Sequence, residues 1–265
     1  MPVVVVTGTG GMGLACARRL GAGHQLVLAE ANADRLASVV TTLKEEGFDA
    51  YGYQIDVSDR SSVEGLVKFT AEQGTLATLV HTAGLSPSMA PGHRILEVNL
   101  GGTALMIESF EQLGVEGTVG VFIASMAGHL WPVSSEIETA IATATADSVV
   151  LATGLGGDVD PSEAYAVSKR GVILRVVAAA KAWGARGARI VSLSPGMIAT
   201  PMGHQESAAE PFMTEMLKDS PVPRMGTPTD IAGMVAWLVG PEASFVTGTD
   251  FLVDGGVVAT LRGWS

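Results

Sequence analysis

The chain has 265 residues, 47% of them hydrophobic, and a formal net charge of −11. That acidic balance argues against nucleic acid or an anionic membrane surface as a partner, because both require a basic face. Cys16 is the only cysteine, which excludes an internal disulfide and suits a reducing, cytoplasmic compartment; no stretch reaches the ~20 apolar residues of a membrane helix.

Val3 to Val6 is a run of β-branched residues and predicts a strand over 2–7. It is too short for a signal-peptide core. The strand runs into Thr7-Gly8-Thr9-Gly10-Gly11-Met12-Gly13 and then into a helical pattern over 11–21. Strand, glycine turn and helix follow in the order a dinucleotide site requires. Gly8, Gly10 and Gly13 fit G-x-G-x-x-G, which gives a tight turn, close approach to the pyrophosphate and close helix–strand packing. The pyrophosphate would sit on unpaired N–H groups at the positive end of the helix.

A second strand over 25–30 ends on Glu30. A carboxylate there would accept hydrogen bonds from the adenosine ribose hydroxyls and repel the 2′-phosphate of NADP, which points to NAD(H). Ala31 follows, so no guanidinium is expected beside Glu30. Further strands are predicted over 49–55, 77–82, 118–124, 188–194 and 249–253, with helices over 32–46, 59–73, 93–113, 163–184 and 228–239. Regular β-then-α order implies right-handed crossovers and a parallel, doubly wound α/β sheet covered on both faces. One domain over residues 1–265 is expected, with two departures from the rhythm: about 130–160 and the Met-rich segment about 197–220.

Tyr165 and Lys169 stand four apart on the predicted helix 163–184, so their side chains share a face. A free phenol, with a pKa of about 10, is a poor base at neutral pH. The neighbouring ammonium is expected to favour the phenolate and bring it toward the working range. Such a pair suits proton exchange with an alcohol or a ketone.

With these motifs in order, the chain resembles a short-chain dehydrogenase/reductase of the NAD-preferring type over nearly its whole length. The glycine turn resembles that family's, one residue shorter than its commonest form. Asp56-Val57 resembles the pair that contacts adenine, and Thr82-Ala83-Gly84 the end of the Asn-Asn-Ala-Gly segment. Asn99, Ser125, Tyr165 and Lys169 resemble the catalytic tetrad. Pro195-Gly196-Met197-Ile198-Ala199-Thr200 resembles the loop holding the nicotinamide carboxamide. Arg224-Met225-Gly226-Thr227-Pro228 and Val253-Asp254-Gly255-Gly256 resemble the C-terminal signatures.

The resemblance implies a Rossmann domain with a seven-stranded parallel sheet and an NAD(H)-dependent oxidoreductase interconverting a secondary alcohol and a ketone. Tyr165 then exchanges the proton, Ser125 orients the substrate oxygen, Lys169 holds the nicotinamide ribose and Asn99 positions a water. Gly8 to Gly13, Glu30, Asp56, Val57, Ala83, Gly84, Tyr165, Lys169, Pro195, Gly196, Ile198 and Thr200 are the expected cofactor contacts, and no metal is expected. A homotetramer is implied, paired through the helices after the fourth and fifth strands; Val172, Ile173, Val176, Val177 and Ala180 add apolar surface on the second. The alternatives are an NADP-linked ketone reductase and a non-catalytic dinucleotide sensor or scaffold. An enoyl reductase fits less well, because that family spaces its Tyr and Lys more widely.

Two departures from the family stand out. His81 replaces the usual Asn, most simply as a structural hydrogen-bonding group. The 39 residues between Ser125 and Tyr165 far exceed the family's usual connection. Both ends of that insertion belong at the active-site mouth, so it is expected either to roof the pocket or to pack on a neighbouring subunit. Opposite it, Met197, Met202, Phe212, Met213 and Met216, with Ser125, are expected to line an apolar pocket for an alcohol or ketone. Neither segment offers a decisive charged anchor.

Overall fold

In the computed structural model, which describes residues 1–209 and 211–263, the opening valines face two different cores. Val3 and Val5 join Phe110 and Trp183, whereas Val4 and Val6 join Leu26, Leu28 and Ile231. Side chains alternate along a strand, so a strand covered on both faces needs apolar residues at every position.

The strands are β1 (Pro2–Thr7), β2 (Gln25–Glu30), β3 (Asp49–Gln54), β4 (Thr75–His81), β5 (Val119–Ile123), β6 (Arg189–Pro195) and β7 (Asp250–Val253). All pair in parallel in one seven-stranded sheet of order β3-β2-β1-β4-β5-β6-β7. One face carries α1 (Gly11–Leu20), α2 (Ala33–Glu45) and α12 (Pro228–Val239). The other carries α3 (Arg60–Gln73), α5 (Gly102–Glu111) and α9 (Pro161–Ala185). The sequence-predicted spans agree within two residues at every end. Strand order reverses between β1 and β4, and in such sheets a ligand crevice opens beyond the strand ends at that point.

The predicted helix 93–113 is interrupted. It comprises α4 (Gly92–Ile95), a π-helical segment Leu96–Gly101 that contains Asn99, and then α5. Single π turns of this kind are frequent at functional sites. The two irregular segments also hold helices: α6 (Ala127–Leu130), α7 (Ser135–Thr143) and α8 (Val149–Ala152) in the first, α10 (Pro201–Ala209) and α11 (Pro211–Asp219) in the second. A short helix, α13 (Val257–Leu261), closes the fold.

The insertion packs on its own chain. Ser134 caps the start of α7, and Ile141 from its inner face is fully buried. Arg175, a buried residue of α9, donates to the carbonyls of Ile141, Ala142 and Ala144 and to Glu108 of α5. A guanidinium thus satisfies the carbonyls that the end of α7 leaves open, where the helix dipole favours a cation. Arg170 adds a 2.6 Å contact to Glu138, and Arg60 a 3.0 Å contact to Asp147. Val172, Ile173 and Val176 are buried by this packing, leaving Val177 exposed and Ala180 half-buried. The apolar surface expected to drive assembly through α9 is therefore largely covered within the chain. At the far edge, beside the unpaired side of β7, Trp237, Phe245 and Leu252 are exposed. Among the described residues no helix is long and apolar enough to cross a membrane.

Candidate active site

The glycine turn is shaped by contacts that leave no room for side chains. Gly8 has φ +78°, in the left-handed region, and a Cβ on it would lie 2.7 Å from the Ala83 nitrogen. A Cβ on Gly13 would collide with the Gly8 carbonyl oxygen, so α1 starts hard against the end of β1. Gly10, by contrast, faces open space as the N-cap of α1, and no side chain caps that end. The positive end of the helix therefore opens into a cavity of about 760 Å³. Gly8 to Gly13, Glu30, Asp56, Val57, Ala83, Gly84, Tyr165, Lys169 and Thr200 line it. A cradle of bare backbone N–H groups fits a pyrophosphate.

Glu30 is buried at the end of β2 and already engaged. Its Oε2 accepts from the Thr9 nitrogen and hydroxyl, each at 2.9 Å, and its Oε1 accepts from the Asn32 nitrogen at 3.1 Å. Burial pushes its pKa up, but these bonds and the Arg35 charge together hold it below the ordinary carboxylate range. Oε1 keeps capacity for a ribose hydroxyl. Arg35 corrects the expectation that no guanidinium lies near: its Nη1 is 3.7 Å from Glu30 Oε1, and it lines the same cavity. Asn32 caps α2 by accepting from the Arg35 nitrogen, and that first turn brings Arg35 back toward the strand end. Asp56 is likewise held by Ser58 and by Arg94, whose Nη2 approaches to 2.9 Å.

Four elements bring the reactive residues together. Ser125 follows β5, and its Oγ accepts from the Ala127 nitrogen. Tyr165 and Lys169 lie on α9, with Lys169 Nζ 5.7 Å from the phenol ring centroid and donating to the Ile123 carbonyl at 3.0 Å. Asn99 is buried, its amide exchanging two hydrogen bonds with the main chain of Leu85. A Cβ on Gly84 would lie 3.2 Å from Asn99 Oδ1 and 3.6 Å from Lys169 Nζ, so the two flank one glycine. The Asn99 main-chain carbonyl accepts the Thr103 hydroxyl.

The ionisation of the pair differs from expectation. Burial, reinforced by the negative charge of Glu206, pushes the Tyr165 phenol up to about 12, against hydrogen bonding from Ser125. Burial also pushes the Lys169 ammonium down to about 8, against the attraction of Glu206. Burial is the largest cause for both groups, and it disfavours the charged form of each.

His81 is a fully buried connector. The Thr103 hydroxyl donates to the Asn99 carbonyl at 2.6 Å, so toward His81 it can only accept. Nε2 of His81 therefore carries the proton, donating to Thr103 over 3.1 Å, and Nδ1 accepts from the Thr7 hydroxyl at 2.6 Å. Burial, aided by the charge of Lys169, pushes its pKa down to about 3, which keeps the ring neutral. His81 thus ties β1 and β4 to the π segment carrying Asn99.

A second cavity, of about 480 Å³, adjoins the first across Tyr165, Met12, Ala124, Thr200 and Met202. Ser125, Met126, Pro195, Gly196, Met197, Ile198 and Met213 also line it. Met216 instead packs beneath with Met197 and Val257, and Phe212 is 60% exposed, so the expected lining loses these two. Among the described residues the insertion reaches this cavity only at its end, with Asp160 and Pro161; α7 and α8 do not line it. The nicotinamide-side loop is braced from the C-terminus. Ala199 donates to the Gly226 carbonyl, Gly226 to that of Met197, and a Cβ on Gly196 would lie 2.6 Å from Asp254 Cα. Glu206, on α10, also lines this cavity, a charged group from the Met-rich segment, where no decisive charged anchor is expected from the sequence.

Fold and site together define a dinucleotide-binding oxidoreductase. Residues 2–136 match the family model described as short chain dehydrogenase, and residues 138–258 the one described as enoyl-(acyl carrier protein) reductase. A short-chain dehydrogenase/reductase of Alternaria brassicicola is 36% identical, covering 97% of this chain and 96% of its own. Cyclohexanol dehydrogenase of Acinetobacter sp. (strain SE19) is 29% identical, covering 96% and 93%. A crystal structure of an actinorhodin polyketide ketoreductase variant with NADPH superposes with a TM-score of 0.77 at 26% identity, covering 97% of each chain. The chain belongs to the short-chain dehydrogenase/reductase family, whose members bind a nicotinamide dinucleotide.

Proposed function

We propose that this protein interconverts a secondary alcohol and a ketone with NAD(H). The reading is carried by one juxtaposition: Ser125 and Tyr165 stand in the wall of an apolar cavity that opens into the glycine-lined one. Tyr165 holds the proton exchanged with the substrate oxygen, as general acid in reduction and general base in oxidation. Ser125 donates to that oxygen and fixes its position. Lys169 reaches the nicotinamide ribose and, with the Asn99 carbonyl, passes protons outward. The bound nicotinamide supplies the hydride acceptor or donor and, when oxidised, a positive charge that favours the phenolate.

Glu30 supports NAD(H), since a buried anion at the ribose opposes a 2′-phosphate. Arg35 favours the second reading, an NADP-linked reductase: its guanidinium lies at the cavity rim, 56% exposed, within reach of added charge. A scaffold without chemistry has no need of Ser125 and Lys169 on either side of Tyr165 where the two cavities meet, and enoyl reduction fits poorly with Tyr165 and Lys169 four apart. For assembly we propose a homotetramer, on family grounds and on the exposed apolar edge beside β7 rather than on α9. A cytoplasmic setting accords with the single buried cysteine.

The test is oxidation of a panel of secondary alcohols, cyclohexanol among them, with NAD and NADP in parallel. Turnover with NAD preferred supports the whole reading. Preference for NADP transfers it to the Arg35 alternative, and no turnover on any alcohol or ketone removes it.

A further inference from the structure

Two carboxylates line the substrate cavity: Asp160 is engaged as the cap of α9, accepting from the Ser162 and Glu163 nitrogens, which leaves Glu206 without a role in the scheme above. Met202 and Glu206 lie four apart on α10 and share the helix face that lines the cavity. The fully buried Ser86 favours the charged form of Glu206, and the Ser86 hydroxyl lies 3.1 Å from that of Ser88, which also lines the cavity. Glu206 and Ser88 thus share a cavity with Ser125 and Tyr165, where Met126, Met197, Ile198 and Met213 supply much of the apolar lining.

A carboxylate offers about four acceptor positions. Burial pushes the Glu206 carboxyl up, against Ser86 and the charge of Lys169, which favour its ionised form. The negative charge of Glu206 opposes ionisation of Tyr165. A donor arriving with the substrate relieves both penalties at once.

We propose that Glu206 anchors substrate: its carboxylate accepts a hydrogen bond from a second hydroxyl on a neutral, otherwise apolar alcohol. The site then selects diols and hydroxyketones over mono-alcohols and rejects substrates bearing a carboxylate. An ammonium could also donate, but it would face Lys169, and it cannot accept from Ser88 as a hydroxyl can. This inference deepens the alcohol–ketone reading and rests on it.

The test compares kcat/KM for the cyclohexanediols, cyclohexanol and a hydroxycyclohexanecarboxylate in wild type, Glu206→Gln and Glu206→Ala. A charge-assisted bond predicts a wild-type preference of about tenfold or more for at least one diol over cyclohexanol. That ratio falls toward unity in Glu206→Ala, chiefly through KM, and the carboxylate substrate gains relative to cyclohexanol in Glu206→Gln. Equal diol-to-cyclohexanol ratios in wild type and both variants overturn the proposal while leaving the alcohol–ketone reading intact. If the wild type oxidises no alcohol, that reading falls first. Calorimetric titration of diols into wild type and Glu206→Ala then decides, and equal or undetectable affinity overturns the anchor. Circular dichroism of the near-isosteric Glu206→Gln shows that the fold is kept.

Discussion

The two cavities that meet at Tyr165 are built by opposite means. The cofactor side is a backbone device: Gly8 and Gly13 succeed by lacking side chains, and the strand ends of the sheet hold them. The substrate side is a side-chain device, lined by methionines and two carboxylates, with Met202, Glu206 and Met213 carried on the short helices α10 and α11. A backbone cradle constrains which residues are allowed and so leaves a readable pattern. A side-chain wall on mobile-sized elements constrains only polarity, and many sequences satisfy it.

Substitutions at the junction separate the two devices. Tyr165→Phe removes only the hydroxyl, so turnover should fall by about 10²- to 10⁴-fold while NADH affinity, followed by fluorescence, stays near the wild-type value. Equal loss of cofactor binding would mean that the two sides are not separable. Arg175→Ala tests whether the insertion belongs to the fold or to the site. Loss of the buried guanidinium that holds the end of α7 should destabilise the protein by about 2–4 kcal/mol in denaturant titration, with kcat changed much less.

On the cofactor side, Glu30→Ala should weaken NAD binding by about 1.5–3 kcal/mol and narrow the gap to NADP, measured by calorimetry. An unchanged gap would place the discrimination in Arg35 instead. The smallest effect is a shift of pH profile. Oxidation needs the phenolate, so its rate rises with pH through the Tyr165 ionisation. Burial and then Glu206 raise that ionisation. Glu206→Gln removes the second cause, so the rise should move to lower pH; movement to higher pH contradicts the assigned coupling.

The same contrast explains what could be read beforehand. The seven strands and the glycine turn are legible from local periodicity and spacing, and the pairing of Tyr165 with Lys169 from their separation, whereas Asn99 and Ser125 stand out only through the family resemblance. Glu206 is not legible: it is one of 27 acidic residues, and only the orientation of α10 turns it inward. Arg35 lay in plain view, three residues beyond the Asn32 cap, and a helix turn returns it to the end of β2. The signal was the cap, which fixes where that helix begins. The ionisation of Tyr165 is not legible in the spacing, which reveals the neighbouring cation but not the burial that is the largest cause of its shift.

The insertion carries one more consequence, for protein engineering. Between α8 and α9 the chain turns through Gly154, at φ +69°, and then Gly156 and Gly157, around which a Cβ would meet nothing within 4 Å. The neighbouring Leu151 is 81% exposed. On either side the chain is fixed: Val149 is buried, Gly92 leaves room for the carbonyl of Val159, and Asp160 caps α9 through Ser162 and Glu163. Such a tip, anchored at both feet, tolerates added sequence. A peptide epitope or a small reporter domain spliced in at Gly156 would be displayed just outside the mouth of the reaction site, tethered to the helix that bears Tyr165.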